Sequence, residues 1–407
     1  MIIPSIDLMN GKQVVLRQGK DLILEAENPC AIIKKYSMFP EINIIDLDAA
    51  FGNGSNMPLI KELAKISLIN VGGGIRDLAT AKEYLGAGVK NLIIGTKADE
   101  ELLNELPINK IIVALDIMDD KVQTHGWTQS SNYTLKERIK SMEKYCHTFL
   151  ITNIHVEGLG KGIDKKFVEE LKGLTKNRII IAGGVASYED IAAIENYGFD
   201  VILGRALYDG TLNITDAVLN ILKFTDELIP TVVKDQQGKV LMAAYSNNEA
   251  IKKTIGTGKC HYYSRSRKQL WLKGQISGNA QRLVELRYDC DRDTLLYIIE
   301  QHGNACHLGR YSCFNEDKFS VQYLIDFLYQ RINEKGISYT KQIGTDHEKL
   351  SKKLLEEAFE VSIAKTRDNK VYEVTDLFFF ILLYVAKEGI SFKEIINELK
   401  ARHKVKL

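Results

Sequence analysis

GGGIRDLATAKEYLGAGVKNLIIGT, Gly72 to Thr96, returns later in the chain as GGVASYEDIAAIENYGFDVILGRAL, Gly183 to Leu207. Each copy runs from glycines through an amphipathic stretch to a short apolar run and another glycine, the βα rhythm of a parallel sheet. Working outward, IIPSIDL from Ile2 is echoed by IIVALDI from Ile111, so the two echoes are displaced by 111 and 109 residues. The displacement is close to half of the first 224 residues. Continuous apolar runs such as KIIVALDI and RIIIAGG are expected of strands buried on both faces. A repeat at the first, third and fourth strands of each half implies eight strands, hence a doubled (β/α)8 TIM barrel over residues 1–224.

The chain has 407 residues, too many for one ordinary core at about 100 to 200 residues per domain. Lys+Arg number 54 against Asp+Glu 53, a balance that points to neither nucleic acid nor an anionic membrane, so anion binding must be local. The start MIIPSIDLMN has no basic leader and no window approaches 18 uninterrupted apolar residues. A cytoplasmic protein is expected. Three of the six cysteines crowd between Cys290 and Cys313, a spacing that suits metal ligands better than disulfides.

Barrels keep their active sites at the C-terminal ends of their strands. Asp7 and Asp116 end the first strand of each half and face the mouth, as general base and general acid. Gly73, Gly74 and Gly95 in one half, and Gly183, Gly184 and Gly204 in the other, follow apolar strands, with Thr96 and Arg205 beside the later glycines. Backbone N–H groups there, with a helix N-terminus behind them, suit a ligand carrying two phosphates. A single glycine pair after a strand is by itself only a tight turn; the duplication is what suggests a site.

From IIPSIDL through GRALYDG the chain resembles the phosphoribosyl-formimino-AICAR-ribotide isomerase family. The resemblance implies an Amadori rearrangement with Asp7 as base and Asp116 as acid. There are departures. The family's VRLxQG reads VVLRQG, with Val15 in place of arginine, and its TDIxxDG reads TNIHVEG, keeping Thr152 but placing Asn153 and Glu157 where aspartates are usual.

From about Thr225 to Phe314, residues 225–314, the texture is aromatic and β-branched, and a small, mainly β domain is expected. DCDRD, Asp289 to Asp293, reads as an extended strand whose Asp289, Asp291 and Asp293 share one face while Cys290 takes the other. Carboxylates suit Mg²⁺ and thiolates suit Zn²⁺. Cys290, Cys306 and Cys313 supply three soft ligands and leave a fourth position for water, the open coordination of a catalytic zinc. HYYSRSRKQLWLKGQISGN and DCDRDTLLYIIEQHGNACHLGRYSC closely resemble phosphoribosyl-AMP cyclohydrolase. The resemblance implies zinc at the three cysteines, magnesium at the three aspartates and an active site shared between two subunits. His307 is then a candidate proton carrier. Arg265, Arg267, Trp271 and Lys273 are candidates to hold phosphate and stack on the base. Gln275 stands where the family commonly has Glu.

Residues 319–407 turn helical, with apolar positions recurring at intervals of three and four, giving an all-α bundle. Glu357 and Glu360 share one helix face, Glu373 and Asp376 another, and Glu356 stands alongside. Acids so concentrated repel without a cation, and Mg²⁺ is the expected occupant. SYT from Ser338, Lys349, Lys352, Lys353, EEAFE and EVTD resemble phosphoribosyl-ATP pyrophosphohydrolase, with Lys353 among the lysines that offset phosphate charge. Phe379 and Phe380 replace the family's Tyr-His. The resemblances imply consecutive steps of histidine biosynthesis on phosphoribosyl nucleotides, in a homodimer joined through the C-terminal domains. Two other readings are a non-catalytic, phosphosugar-binding barrel and a general nucleotide pyrophosphatase bundle.

Overall fold

The computed structural model describes residues 1–17, 21–26 and 28–402. Gln18 and Gly19 of VVLRQG, and residues 403–407 of the expected third domain, lie outside them. Two compact units are present, Met1–Phe314 and Asn315–Leu407. The expected barrel and mainly β domain thus share one body.

Eight parallel strands close a barrel: β1 (Ile2–Met9), β2 (Ile42–Asp46), β3 (Ile69–Gly72), β4 (Asn91–Ile94), β5 (Ile111–Met118), β6 (Thr148–Asn153), β7 (Arg178–Ala182) and β8 (Asp200–Leu203). Closure is direct, Ile3 of β1 pairing with Ile202 of β8 in parallel register. Alternation along the strands divides the apolar residues between two cores. Ile3, Ile93, Ile112, Leu150 and Ile180 fill the interior, whereas Ile2, Ile6 and Leu8 pack outward with the surrounding helices. The halves also match in a feature that the sequence repeat did not reveal. After β1 and again after β5 the chain folds back as an antiparallel ribbon, Lys12–Arg17 with Asp21–Ala26 and Lys121–Thr124 with Gln129–Thr134.

A mixed six-stranded sheet completes the first unit: β9 (Ile229–Asp235), β10 (Val240–Ser246), β11 (His261–Ser264), β12 (Gln269–Leu272), β13 (Gln281–Tyr288) and β14 (Leu295–Gln301). Its order is β12-β11-β10-β9-β14-β13, with only β9 and β14 parallel. Buried Tyr262 anchors it, its ring 5.3 Å from Trp271 and 6.0 Å from Tyr297.

The second unit consists of helices α1 (Val321–Asn333), α2 (Tyr339–Thr345), α3 (His347–Ile363), α4 (Arg367–Lys387) and α5 (Phe392–Arg402). Ile325, Leu328, Leu350, Phe380 and Leu383 form its core. Ser320, Ser338, Asp346 and Thr366 cap the first four helices by accepting N–H groups of the first turn. Among the described residues no helix is long and apolar enough to cross a membrane.

Candidate active sites

At the barrel mouth Asp7 and Asp116 stand on β1 and β5, each just before the strand passes into its ribbon. Burial pushes the Asp7 carboxyl up to about 7. Burial also raises Asp116, opposed by hydrogen bonds from the Trp127 indole, 2.9 Å away, and from Thr152. Glu157 joins them. Its carboxyl is pushed up to about 7 by burial and then by the charges of Asp7 and Asp116, so the three acids share one electrostatic site. Position 157 was legible only as a departure from a motif. Trp127 was missed, although it is one of only two tryptophans and lies in the polar HGWTQ segment. Val15 is buried on the first ribbon, opposite Leu24, and Asn153 is buried with its Oδ1 accepting the N–H of His155.

The glycines divide into two kinds. Gly73 and Gly74 have φ of +92° and +70°, and a Cβ would lie 2.2 Å from the Asp46 carbonyl or 2.5 Å from Ala49. Gly183 and Gly184 repeat this at +92° and +82°, with Glu157 and Val156 each 2.7 Å from the added atom. Turn geometry alone therefore requires these four. Gly95 and Gly204 have no such need, for a Cβ on Gly204 meets nothing within 4 Å and one on Gly95 only atoms at 3.9 Å or more. Their backbones are open to a ligand. Next to them, Thr96 Oγ1 accepts the His125 N–H, and Arg205 pairs with Asp209 at 3.0 Å and donates to the Gly158 carbonyl.

In the mainly β domain the expected strand through DCDRD is corrected. Strand β13 ends at Tyr288, and residues 289–294 form the hairpin turn to β14. Asp289 Oδ1 accepts the N–H groups of Asp293 and Thr294, both at 3.1 Å, so a short polar side chain at the turn's first position overrides extension. The turn still gathers the acids: oxygens of Asp289, Asp291 and Asp293 lie within 4.8 Å of one another. Exposed hard oxygens so close together fit Mg²⁺.

Cys306 and Cys313 are hydrogen-bonded neighbours. The Leu308 amide, with Cys313 and Arg310, holds the Cys306 thiol below its ordinary range, while burial and Cys306 raise Cys313. Half-buried Lys273 is close enough for both thiols to favour its charge, although burial lowers it overall. The thiol of Cys290 does not gather with these two among the described residues of one chain. Exposed Cys290 and His307 are at the surface; Arg265 lies 3.9 Å over the Tyr245 ring, and Arg267 donates to Ser264. Soft thiols beside a cation that tolerates their ionised form fit Zn²⁺.

In the bundle, Glu357 and Glu360 of α3 meet Glu373 of α4, with carboxylate oxygens within 4.8 Å. Burial raises the Glu357 carboxyl, Lys353 opposes this, and Glu360 and Asp376 add to it. Asp376 therefore belongs to the same neighbourhood. Glu356, half-exposed, pairs with Lys353 at 2.9 Å. Lys353 also reaches Glu357 at 3.4 Å, so its ammonium sits between the two carboxylates.

Known proteins divide the chain in the same order. Residues 1–213 match the family described as histidine biosynthesis protein, 242–315 that of phosphoribosyl-AMP cyclohydrolase, and 321–403 that of phosphoribosyl-ATP pyrophosphohydrolase. The histidine biosynthesis bifunctional protein HisIE of Pyrococcus furiosus is 40% identical over 44% of this chain and 92% of its own length. An imidazole-4-carboxamide isomerase of Methanosphaera stadtmanae is 38% identical over 54% of this chain and 98% of its own length. The histidine biosynthesis trifunctional protein of Saccharomyces bayanus is 34% identical over 62% of this chain and 32% of its own length. With a barrel, a cyclohydrolase region and a pyrophosphohydrolase region in one polypeptide, the chain belongs to the histidine biosynthesis enzyme family.

Proposed function

We propose that the chain carries out three consecutive steps: release of pyrophosphate from phosphoribosyl-ATP, opening of the adenine ring of the resulting phosphoribosyl-AMP, and Amadori isomerisation of the opened product. The two hydrolytic steps are supported by the matched cyclohydrolase and pyrophosphohydrolase regions, and the isomerisation chiefly by one observation, the trio of Asp7, Asp116 and Glu157 at the barrel mouth. A carboxyl held near neutrality can take a proton at one instant and return it at another, as an aldose-to-ketose shift requires.

In the bundle, Mg²⁺ held by Glu357, Glu360, Glu373 and Asp376 would neutralise phosphate charge and lower the pKa of water. Lys353, tethered between Glu356 and Glu357, presents its ammonium beside that cluster. Zinc held by Cys306, Cys313 and the Cys290 of a second copy would supply a Lewis acid, with Mg²⁺ on Asp289, Asp291 and Asp293. Arg265 is braced on Tyr245 to meet a phosphate, and Lys273 holds positive charge beside the thiols.

A second copy is also favoured by the bundle's surface. Leu355, Phe359 and Ile363 form an exposed stripe along α3, with Leu355 74% exposed, and Val371, Val374 and Phe378 form another along α4. Apolar stripes of this size mark protein contacts, and we assign them to a homodimer.

The test feeds the pure protein phosphoribosyl-ATP with Mg²⁺ and Zn²⁺ and follows products by mass spectrometry. Arrival at the ketose supports all three steps. Accumulation of the opened aldose favours the second reading, a two-step hydrolase whose barrel only binds phosphosugar, which the apolar Val15 and the neutral Asn153 favour. Faster turnover of dCTP or dUTP would instead favour a general nucleotide pyrophosphatase.

A further inference from the structure

The Asp289–Asp293 turn is built on the barrel. Tyr288, the residue before it, donates to Glu195 Oε1 at 2.8 Å and accepts the Ile2 N–H at 3.0 Å. Arg292, between two of the clustered acids, is only 7% exposed. Its guanidinium donates to Asn196 Oδ1 at 2.5 Å, and its carbonyl accepts the Lys223 N–H at 2.8 Å. Asn196 ends the helix Tyr188–Asn196, whose terminal carbonyls favour a cation. Arg292 also has φ of +67°, a left-handed conformation that costs a non-glycine residue about 1 to 2 kcal/mol. Contacts on both its side chain and its carbonyl hold that conformation in place.

We propose that Arg292 is a positioning residue through which the barrel wall fixes the three acids in their metal-binding arrangement, so that the barrel completes the neighbouring hydrolase site. The proposal rests on the reading that Asp289, Asp291 and Asp293 hold Mg²⁺. Ile2 begins β1 and the helix of Asn196 leads into β8, so the turn docks at the N-terminal ends of the barrel strands. Asp7 and Asp116 lie near the opposite ends.

Manganese binding to the metal-stripped full chain, followed by the paramagnetic signal of free Mn²⁺, tests it without turnover. Asp291→Asn defines the turn site as the binding class it removes. Asn196→Ala and Arg292→Lys should each weaken that class about tenfold, the loss of one hydrogen bond to a charged group, and leave the bundle class unchanged. Asn196→Asp, which can still accept from Arg292, should restore it. Unchanged affinity in Asn196→Ala and Arg292→Lys, with the class still lost in Asp291→Asn, overturns the positioning role alone. If Asp291→Asn removes no class, the magnesium reading falls, and the proposal with it.

Discussion

Trp127 Nε1 stands 2.9 Å from Asp116 Oδ2, so the loop after the first strand of the barrel's second half holds the carboxyl expected to act as acid. The N–H favours the ionised carboxylate and opposes the effect of burial. In Trp127→Phe the opposition is gone and Asp116 rises further. The alkaline limb of isomerisation should therefore move to higher pH, read from kcat/KM against pH.

Asp7 sets the acid limb. As a base it must be ionised, so isomerisation should rise as pH increases through about 7. Asp7→Asn should abolish ketose formation, a loss of at least about a hundredfold, while pyrophosphate release continues. Stability carries the same signature. The folded carboxyl binds its proton more tightly than the unfolded one, so its contribution is full below about 4 and is lost as pH rises towards about 7. Denaturant titrations should show that slope in the native chain and a shallower one in Asp7→Asn, where buried Glu157 still contributes.

The barrel could be read from sequence because strands buried on both faces must be apolar throughout, and the repeat fixed their number. Turns resisted the same reading. DCDRD alternates as a strand does, but Asp289 bonds to the backbone of Asp293 and Thr294 and makes it a hairpin tip. Helical phase did not reveal that adjacent Glu356 and Glu357 differ in burial, one half-exposed and the other enclosed, because packing against α4 decides that. The clasp of Arg292 on Asn196 joins residues 96 apart, and no local pattern marks it.

Cys290 should act across subunits. Cys290→Ser and Cys306→Ser each remove a thiol from the proposed zinc set, and each homodimer should lose ring opening. Unfolding and refolding an equal mixture should return activity, because one site in a mixed dimer keeps all three thiols. The phosphoribosyl-AMP assay reads this directly. No recovery would leave each site within one chain.

Glu357 trades stability for metal binding. Only 5% exposed, it is raised by burial and by Glu360 and Asp376, so at neutral pH its ionised form burdens the metal-free bundle. Glu357→Gln removes that charge and leaves Lys353 its 2.9 Å contact with Glu356. The metal-free variant should melt higher than the native chain at pH 7 and lose this advantage at low pH, where the native carboxyl is protonated. Added Mg²⁺ should raise the native melting temperature and barely move that of the variant. Pyrophosphate release should fall at least a hundredfold, roughly the several kcal/mol that a metal supplies to the transition state. If the variant instead melted lower without metal and still released pyrophosphate, Glu357 would be a structural partner of Lys353 alone.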